Sequence, residues 1–254
     1  MHALFNYPVL LLLATFALLW LAALVGAKLQ GRRRRPFDEA RKGDFDIVLG
    51  ATLTLLSLIV GFTFSMASSR YDQRKNYEED EANAIGTAYA RAELLRSDDA
   101  AKVQKLLREY AELRVRFYVT SDTQQLADLK RATVQKQDEL WKSTVAGASN
   151  PPTVLTGLAT AAMNDAINSE GFAQAAAWNR IPLAAWVLMY LLGVIASLML
   201  GLRFRTDAKE YGLVLIMPGI VATAFFLIAD IDCPGRGTIR VLPQNLISLV
   251  TSLN

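Results

Sequence analysis

The chain contains 254 residues, of which 52% are hydrophobic and 20% are charged, and its formal net charge at pH 7 is +3. Soluble proteins carry about 25% charged residues, and here charges are absent from four stretches, at 7–27, 47–69, 181–202 and 211–229. This distribution excludes an ordinary soluble enzyme, a secreted disulfide scaffold and a disordered chain.

Each uncharged stretch has about the 20 apolar residues that an α-helix needs to cross a hydrocarbon core of ~30 Å. The sequence therefore predicts an all-α integral membrane protein with four transmembrane helices. Cys233 is the only cysteine and His2 is the only histidine, so we predict no metal site, no cofactor and no disulfide within the chain. A catalytic serine or cysteine would also have no credible histidine to act as its base, which argues against an enzyme.

The first span is followed by a strongly basic segment that contains Arg32–Arg35. The short loop between the third and fourth spans is also basic, with Arg203, Arg205 and Lys209. Because Lys and Arg near membrane ends stay in the cytoplasm, we predict that both termini and the segment after the second span lie outside. We interpret the arginine cluster as a topology determinant; binding of anionic lipid or nucleotide phosphate is the alternative.

The second span differs from the others because one of its faces carries small and hydroxylated residues. Their spacings of 4, 3, 4, 4 and 3 residues define one helical stripe, made of Gly50, Thr54, Ser57, Gly61, Ser65 and Ser68. Lipid-facing positions gain nothing from hydroxyl groups, so the stripe faces protein or water. The residues alone favour close packing between helices; lining of a pore by several copies is the alternative.

Residues 70–178 form a helical insert between the second and third spans in our prediction, because apolar residues recur there at helical spacing. Capping residues predict helix starts near 97, 122 and 152. Within the insert, Ala82, Gly86 and Ala90 lie four residues apart, next to Glu81. Small residues at this spacing let another helix approach closely. We expect a contact there, either within the chain or with a neighbouring subunit.

Two acidic residues, Asp230 and Asp232, stand at the end of the fourth span, and Arg236 and Arg240 follow closely enough to pair with them. Acids at a membrane edge suggest an ion or proton site. We favour a hydrogen-bonded turn that ends the helix and docks the tail, because interfacial acids are less costly than buried ones. The predicted segments are, in order, a pair of spans, the insert, a second pair of spans and the tail, at 1–69, 70–178, 179–232 and 233–254.

Three parts of the chain together resemble the bestrophin-like domain-of-unknown-function family of bacterial membrane proteins. The first is GFTFSMA at 61–67, which leads into RYDQR at 70–74, and the second is EANAIGTAYAR at 81–91. The third is DIDCP at 230–234, followed by Gly237, Ile239, Arg240 and Val241. The order and spacing of these parts extend the resemblance over nearly the whole chain. The resemblance implies a protein of a bacterial inner membrane.

The family takes its name from a distant similarity to bestrophins, which are pentameric anion channels with four spans in each subunit. In bestrophins the second span lines the pore and a helical insert extends the conduit. The resemblance therefore implies a bestrophin-like homo-oligomer in membrane lipid, a pentamer by analogy, which conducts inorganic ions and has no nucleic-acid partner. Anion preference is implied by the analogy alone.

The resemblance also gives roles to residues of the second span. It shifts our interpretation of Gly50, Thr54, Ser57, Gly61 and Ser65 from packing towards pore lining, and it makes Phe62 and Phe64 candidates for a hydrophobic neck. Bestrophins keep the insert and both termini in the cytosol, which opposes the orientation that the charges predict. A non-conducting membrane scaffold or sensor, whose insert binds a partner, is the alternative function.

Overall fold

The computed structural model describes residues 7–32, 39–203, 211–235 and 237–253. Within these ranges the chain is helical and contains no strand. The helices are α1 (Pro8–Arg32), α2 (Glu39–Ala92), α3 (Ser97–Val119), α4 (Thr123–Ala148), α5 (Val154–Trp178), α6 (Leu183–Arg203), α7 (Tyr211–Asp232) and α8 (Gln244–Ser252).

Four helical stretches are long and apolar enough to cross a membrane: Pro8–Gly31, Lys42–Ala92, Val154–Arg203 and Leu215–Asp232. Each overlaps one of the uncharged stretches of the sequence, so the expected all-α fold with four spans is confirmed. Of the predicted residues, His2, Arg33–Arg35, Arg205, Lys209 and Arg236 lie outside the described ranges.

The chain divides into two compact units, and α2 contributes residues to both. The membrane unit comprises Met1–Ser69 and Arg180–Ile239, and the insert unit comprises Arg70–Asn179 and Arg240–Asn254. The C-terminal residues are thus shared between the units, because those from Arg240 onwards belong with the insert.

In the membrane unit, α1 packs against α6 and α7. Two glycines allow the backbones of α1 and α6 to approach: a Cβ atom added to Gly201 would lie 1.9 Å from the carbonyl oxygen of Ala23, and one added to Gly26 would lie 2.1 Å from that of Leu198. Close packing over small residues is the usual way in which membrane helices associate. The Nε atom of Arg203 also lies 2.8 Å from Oδ1 of Asp46, which ties α6 to the beginning of the second span.

In the insert unit, the second half of α2 packs with α3, α4, α5 and α8 around one apolar core. Helices α3 and α4 run antiparallel: Tyr110 in the second half of α3 bonds to Gln137 in the middle of α4, whereas Gly147 near the end of α4 lies beside Asp99 near the start of α3, where an added Cβ atom would be 2.9 Å from that of Asp99. Helices α3, α4 and α5 begin at Ser97, Thr123 and Val154, within two residues of the predicted starts. The largest fully buried apolar side chains of this core are Tyr110, Ile85, Leu107, Leu140, Met163 and Leu246.

Candidate functional site

Within the membrane unit, α2 has one buried face and one exposed face. Its buried positions are Leu49, Leu56, Thr63 and Ala67, and the first three of these are separated by seven residues, or about two helical turns. The five positions predicted to line a pore, Gly50, Thr54, Ser57, Gly61 and Ser65, are all exposed. The stripe is therefore not a packing surface within this chain.

Two hydroxyl groups of the stripe donate hydrogen bonds to carbonyl oxygens of their own helix. Thr54 donates to the carbonyl oxygen of Gly50 at 2.9 Å, and Ser57 donates to that of Leu53 at 2.9 Å. Each hydroxyl oxygen keeps acceptor capacity after donating its proton. A Cβ atom added to Gly50 or Gly61 would meet nothing within 4 Å, so the stripe is open as well as weakly polar.

A groove of about 600 Å³ lies beside the stripe, between α2 and α7 of the membrane unit. Ser57, Gly61 and Phe64 contribute to its α2 wall, whereas Phe62 does not. Both rings are exposed, with 63% of Phe62 and 43% of Phe64 accessible. Residues two apart on an α-helix differ in direction by about 160°, so the two candidates for a hydrophobic neck face different sides and only Phe64 lies beside the stripe.

Asp230, at the end of α7, is buried and holds the turn that follows the helix. One carboxylate oxygen accepts from the backbone N–H of Thr238 at 2.8 Å, and the other accepts from the hydroxyl of Thr238 at 2.6 Å and the N–H of Ile239 at 2.9 Å. A Cβ atom at Gly237 would lie 2.4 Å from the carbonyl oxygen of Asp230. Glycine is therefore required at position 237 for the turn to close.

Asp232 is also buried, and it ties the end of α7 to the segment before α6. It accepts from Nε of Arg180 at 3.0 Å and from the backbone N–H of Ile181 at 3.2 Å. Arg240, which the sequence offered as a partner, is exposed, and the carboxylates bind other donors. Asp230 accepts from Thr238 and Ile239 instead, and Asp232 accepts from Arg180 and Ile181. All four carboxylate oxygens thus accept hydrogen bonds, as in a structural turn rather than an open ion site.

The small-residue face of the insert is partly covered by the chain itself. Ala82 is buried, and a Cβ atom added to Gly86 would lie 3.2 Å from Cδ1 of Leu249 in α8. Ala90 is exposed. Contact within the chain therefore accounts for the first two positions, and a contact of Ala90 with a neighbouring subunit stays a prediction.

Glu81, predicted at the same contact, forms a buried ion pair with Arg114 of α3. The hydroxyl of Tyr118 donates to the second oxygen of Glu81 at 3.0 Å. Arg114 also lies 3.6 Å from Glu170 of α5, and its guanidinium carbon is 4.6 Å from the centre of the Phe117 ring. Burial and the negative charge of Glu81 raise the pKa of the Tyr118 hydroxyl above its ordinary value.

A second buried carboxylate, Glu78, was not found by sequence reasoning. Its oxygens accept from the side-chain amide of Asn245 at 2.7 Å and from the backbone N–H of Leu246 at 3.0 Å, both in the first turn of α8. At the other end of α8, Arg108 donates to the carbonyl oxygen of Leu253 at 3.0 Å. The sequence contains one signal for this contact: Pro243, at the N-cap position of α8, has no side chain that can cap the helix, so another residue must do so.

Comparison with known proteins agrees with this architecture. A family model described as a Bestrophin-like domain matches residues 13–246. The chain therefore belongs to the Bestrophin-like family, which confirms the resemblance seen in the sequence. No curated protein matches the chain.

Solved structures of similar fold include bacterial bestrophin homologues from Klebsiella pneumoniae. One is 14% identical, with 96% of this chain and 98% of that chain covered and a TM-score of 0.63. A variant with a tryptophan-to-alanine substitution is 13% identical, with 94% and 97% covered and a TM-score of 0.65. A variant with a leucine-to-threonine substitution is 14% identical, with 95% and 97% covered and a TM-score of 0.65. At this identity the likeness concerns the fold.

Proposed function

We propose that copies of this chain assemble around the exposed stripe of α2 and form an ion channel whose pore the stripe lines. The observation that carries this proposal is the exposure of Gly50, Thr54, Ser57, Gly61 and Ser65 in a membrane-spanning helix whose opposite face is buried. Hydroxyl groups are of use where a helix meets water or another polar surface. A non-enzymatic role fits the same family and fold.

The extent of burial along the spans supports assembly. In the most apolar part of Lys42–Ala92, 17% of the residues are buried, compared with 50% in Leu215–Asp232. A span at the centre of a subunit would have the larger fraction of buried residues. The low coverage of α2 is the pattern expected of a helix that meets neighbouring copies, and we propose a pentamer by analogy with bestrophins, in a bacterial inner membrane.

The proposed channel could select for anions or for cations. The analogy with bestrophins favours conduction of anions. The stripe itself contains no acidic or basic residue and does not decide between anions and cations. Along the same helix, the exposed positions Asp72, Asn76, Glu79 and Asn83 continue the spacing of 3 and 4 residues after Ser68. If this face lines the conduit, its carboxylates favour cations. Reversal potentials in a salt gradient distinguish the two, and Glu79→Gln should shift permeability towards anions.

Reconstitution into liposomes tests conduction directly. We expect current from the wild-type protein, and we expect Gly61→Leu to block or strongly reduce it, because position 61 has open space in the single chain and the added side chain projects into the proposed pore. Leu191→Phe is the matched control, since Leu191 is an exposed apolar residue of α6. A well-folded oligomer that conducts no ion would refute the channel proposal and would favour a scaffold or sensor whose insert binds a partner protein.

For orientation, we keep the outside placement of the insert that the basic short loops predict. A cysteine introduced at Val154, which is 84% exposed, reports the side of the membrane on which the insert lies. The single natural cysteine, Cys233, is buried and gives little background. Labelling of intact cells by an impermeant maleimide supports the outside placement, and labelling only after lysis contradicts it.

A further inference from the structure

A groove of about 590 Å³ opens in the insert unit between α2 and α5. This volume lies in the range of small-molecule sites, about 300–1,000 Å³. The proposed pore makes no use of this groove. Its walls include Tyr77, Asp80, Asp165, Asn168, Ser169 and Phe172.

One wall of the groove is aromatic. The rings of Tyr77 and Phe172 are stacked, with their centres 6.1 Å apart and an angle of 15° between their planes. Phe172 is 59% exposed, which leaves a large apolar surface uncovered. The faces of aromatic rings carry negative electrostatic potential and attract organic cations.

The groove is also acidic. Asp80 of α2 and Asp165 of α5 are exposed, and in the part of the chain that the structure describes neither carboxylate has a hydrogen bond or an ion pair. Some acids elsewhere in the insert are paired; Asp138, for example, lies 2.5 Å from the ammonium group of Lys142. No basic residue lines the groove, so its negative charge is not neutralised from within.

We propose that this groove binds a linear organic polyamine, with ammonium groups at Asp80 and Asp165 and the carbon chain against Phe172. Carboxylates and aromatic faces together suit an ammonium ion attached to an apolar chain. A bare metal ion fits less well, because the described residues contain no group of three or more acidic, histidine or cysteine side chains placed to hold one. The site goes beyond the channel proposal and does not rest on conduction.

Calorimetric titration of the detergent-solubilised full-length protein with spermidine tests the site. We expect one saturable site per chain. The double substitution Asp80→Asn/Asp165→Asn should weaken binding at least about tenfold, because it removes both charged acceptors. Phe172→Leu, which keeps an apolar side chain and removes the ring, should weaken binding severalfold. Helix content and gel filtration verify that each variant is folded.

Two controls separate this site from general attraction to an acidic surface. Glu112→Gln removes an exposed acid of α3 outside the groove, and it should leave the affinity unchanged. Magnesium chloride at matched ionic strength should not displace spermidine. The proposal is overturned if wild-type binding is absent or does not saturate, if Glu112→Gln weakens binding as much as the double substitution, or if magnesium competes equally.

Discussion

The docking of α8 depends on one buried carboxylate, and this gives a quantitative prediction. Glu78 is 1% exposed, and its oxygens accept from Asn245 and from the N–H of Leu246 in the first turn of α8. Replacing Glu78 by alanine leaves the buried N–H of Leu246 without an acceptor, at about 1–3 kcal/mol. It also removes a negative charge from the N-terminus of a helix, which contributes about 0.3–1 kcal/mol.

The two effects together should lower the free energy that holds α8 in place by about 1.3–4 kcal/mol. Because the helix can open locally, the backbone amides of Gln244–Ser252 should exchange with deuterium about 10- to 1,000-fold faster in Glu78→Ala. Hydrogen–deuterium exchange with mass spectrometry measures this change. The core helices α3 and α4 should keep their protection, since Glu78 bonds to α8.

The neighbouring residue supplies the control for this experiment. Glu79 is exposed, with the same charge and the same helix as Glu78. Glu79→Ala should leave the exchange of α8 unchanged, because its carboxylate does not reach the helix. If the two variants exchange alike in α8, or if Glu78→Ala accelerates exchange throughout the insert, then capping by Glu78 is not what holds α8.

Three further predictions concern pH, packing and the membrane edge. Burial and the negative charge of Glu81 raise the pKa of Tyr110 and Tyr118 above the ordinary value for tyrosine. The contribution of these tyrosines to stability is complete below about pH 10 and is lost as pH rises towards their pKa in the folded state. The melting temperature should therefore fall above about pH 10. Gly201→Ala places a Cβ atom 1.9 Å from a carbonyl oxygen of α1 and should cost about 1–3 kcal/mol or more. Gly50→Ala, at an open position inside α2, should not lower the melting temperature, because alanine is the better helix former. Asp232→Ala removes an acceptor of Arg180 and leaves the N–H of Ile181 without this carboxylate, and it should cost about 1–3 kcal/mol. The loss is measured as urea-induced unfolding of the membrane unit, and an unchanged midpoint would contradict the role given to this carboxylate.

The fold was predictable where short-range signals decide the structure. The spans follow from uncharged stretches of about 20 residues, a length fixed by membrane thickness. Helix starts in the insert follow from capping residues: Asp122 accepts from the N–H of Gln125, and Thr153 forms a capping box with Thr156. Such signals act between residues three apart, so a sequence displays them without a three-dimensional structure.

The partners of the buried charges were not predictable, because they depend on contacts between distant parts of the chain. Glu78 and Leu246 are separated by 168 positions, and Asp232 and Arg180 by 52. Proximity in sequence favoured Arg240 as a partner of the aspartates, and topology brought Arg180 instead. Glu81 was chosen for its place beside small residues, and its actual role depends on Arg114 of another helix.

The two halves of α2 are held by different forces, and this bears on the proposed pore. In the insert unit its buried face carries Arg74, Glu78 and Glu81, spaced 4 and 3 residues apart, before the apolar Ile85. Hydrogen bonds fix Glu78 and Glu81 to α8 and α3 in specific directions, so they define the rotation of α2 about its axis more narrowly than apolar packing does. In the membrane unit, by contrast, one narrow apolar face is buried and the stripe is open. The pore proposed on this helix requires a fixed rotation of α2 about its axis, since a turn of about 100° replaces each lining residue by its neighbour.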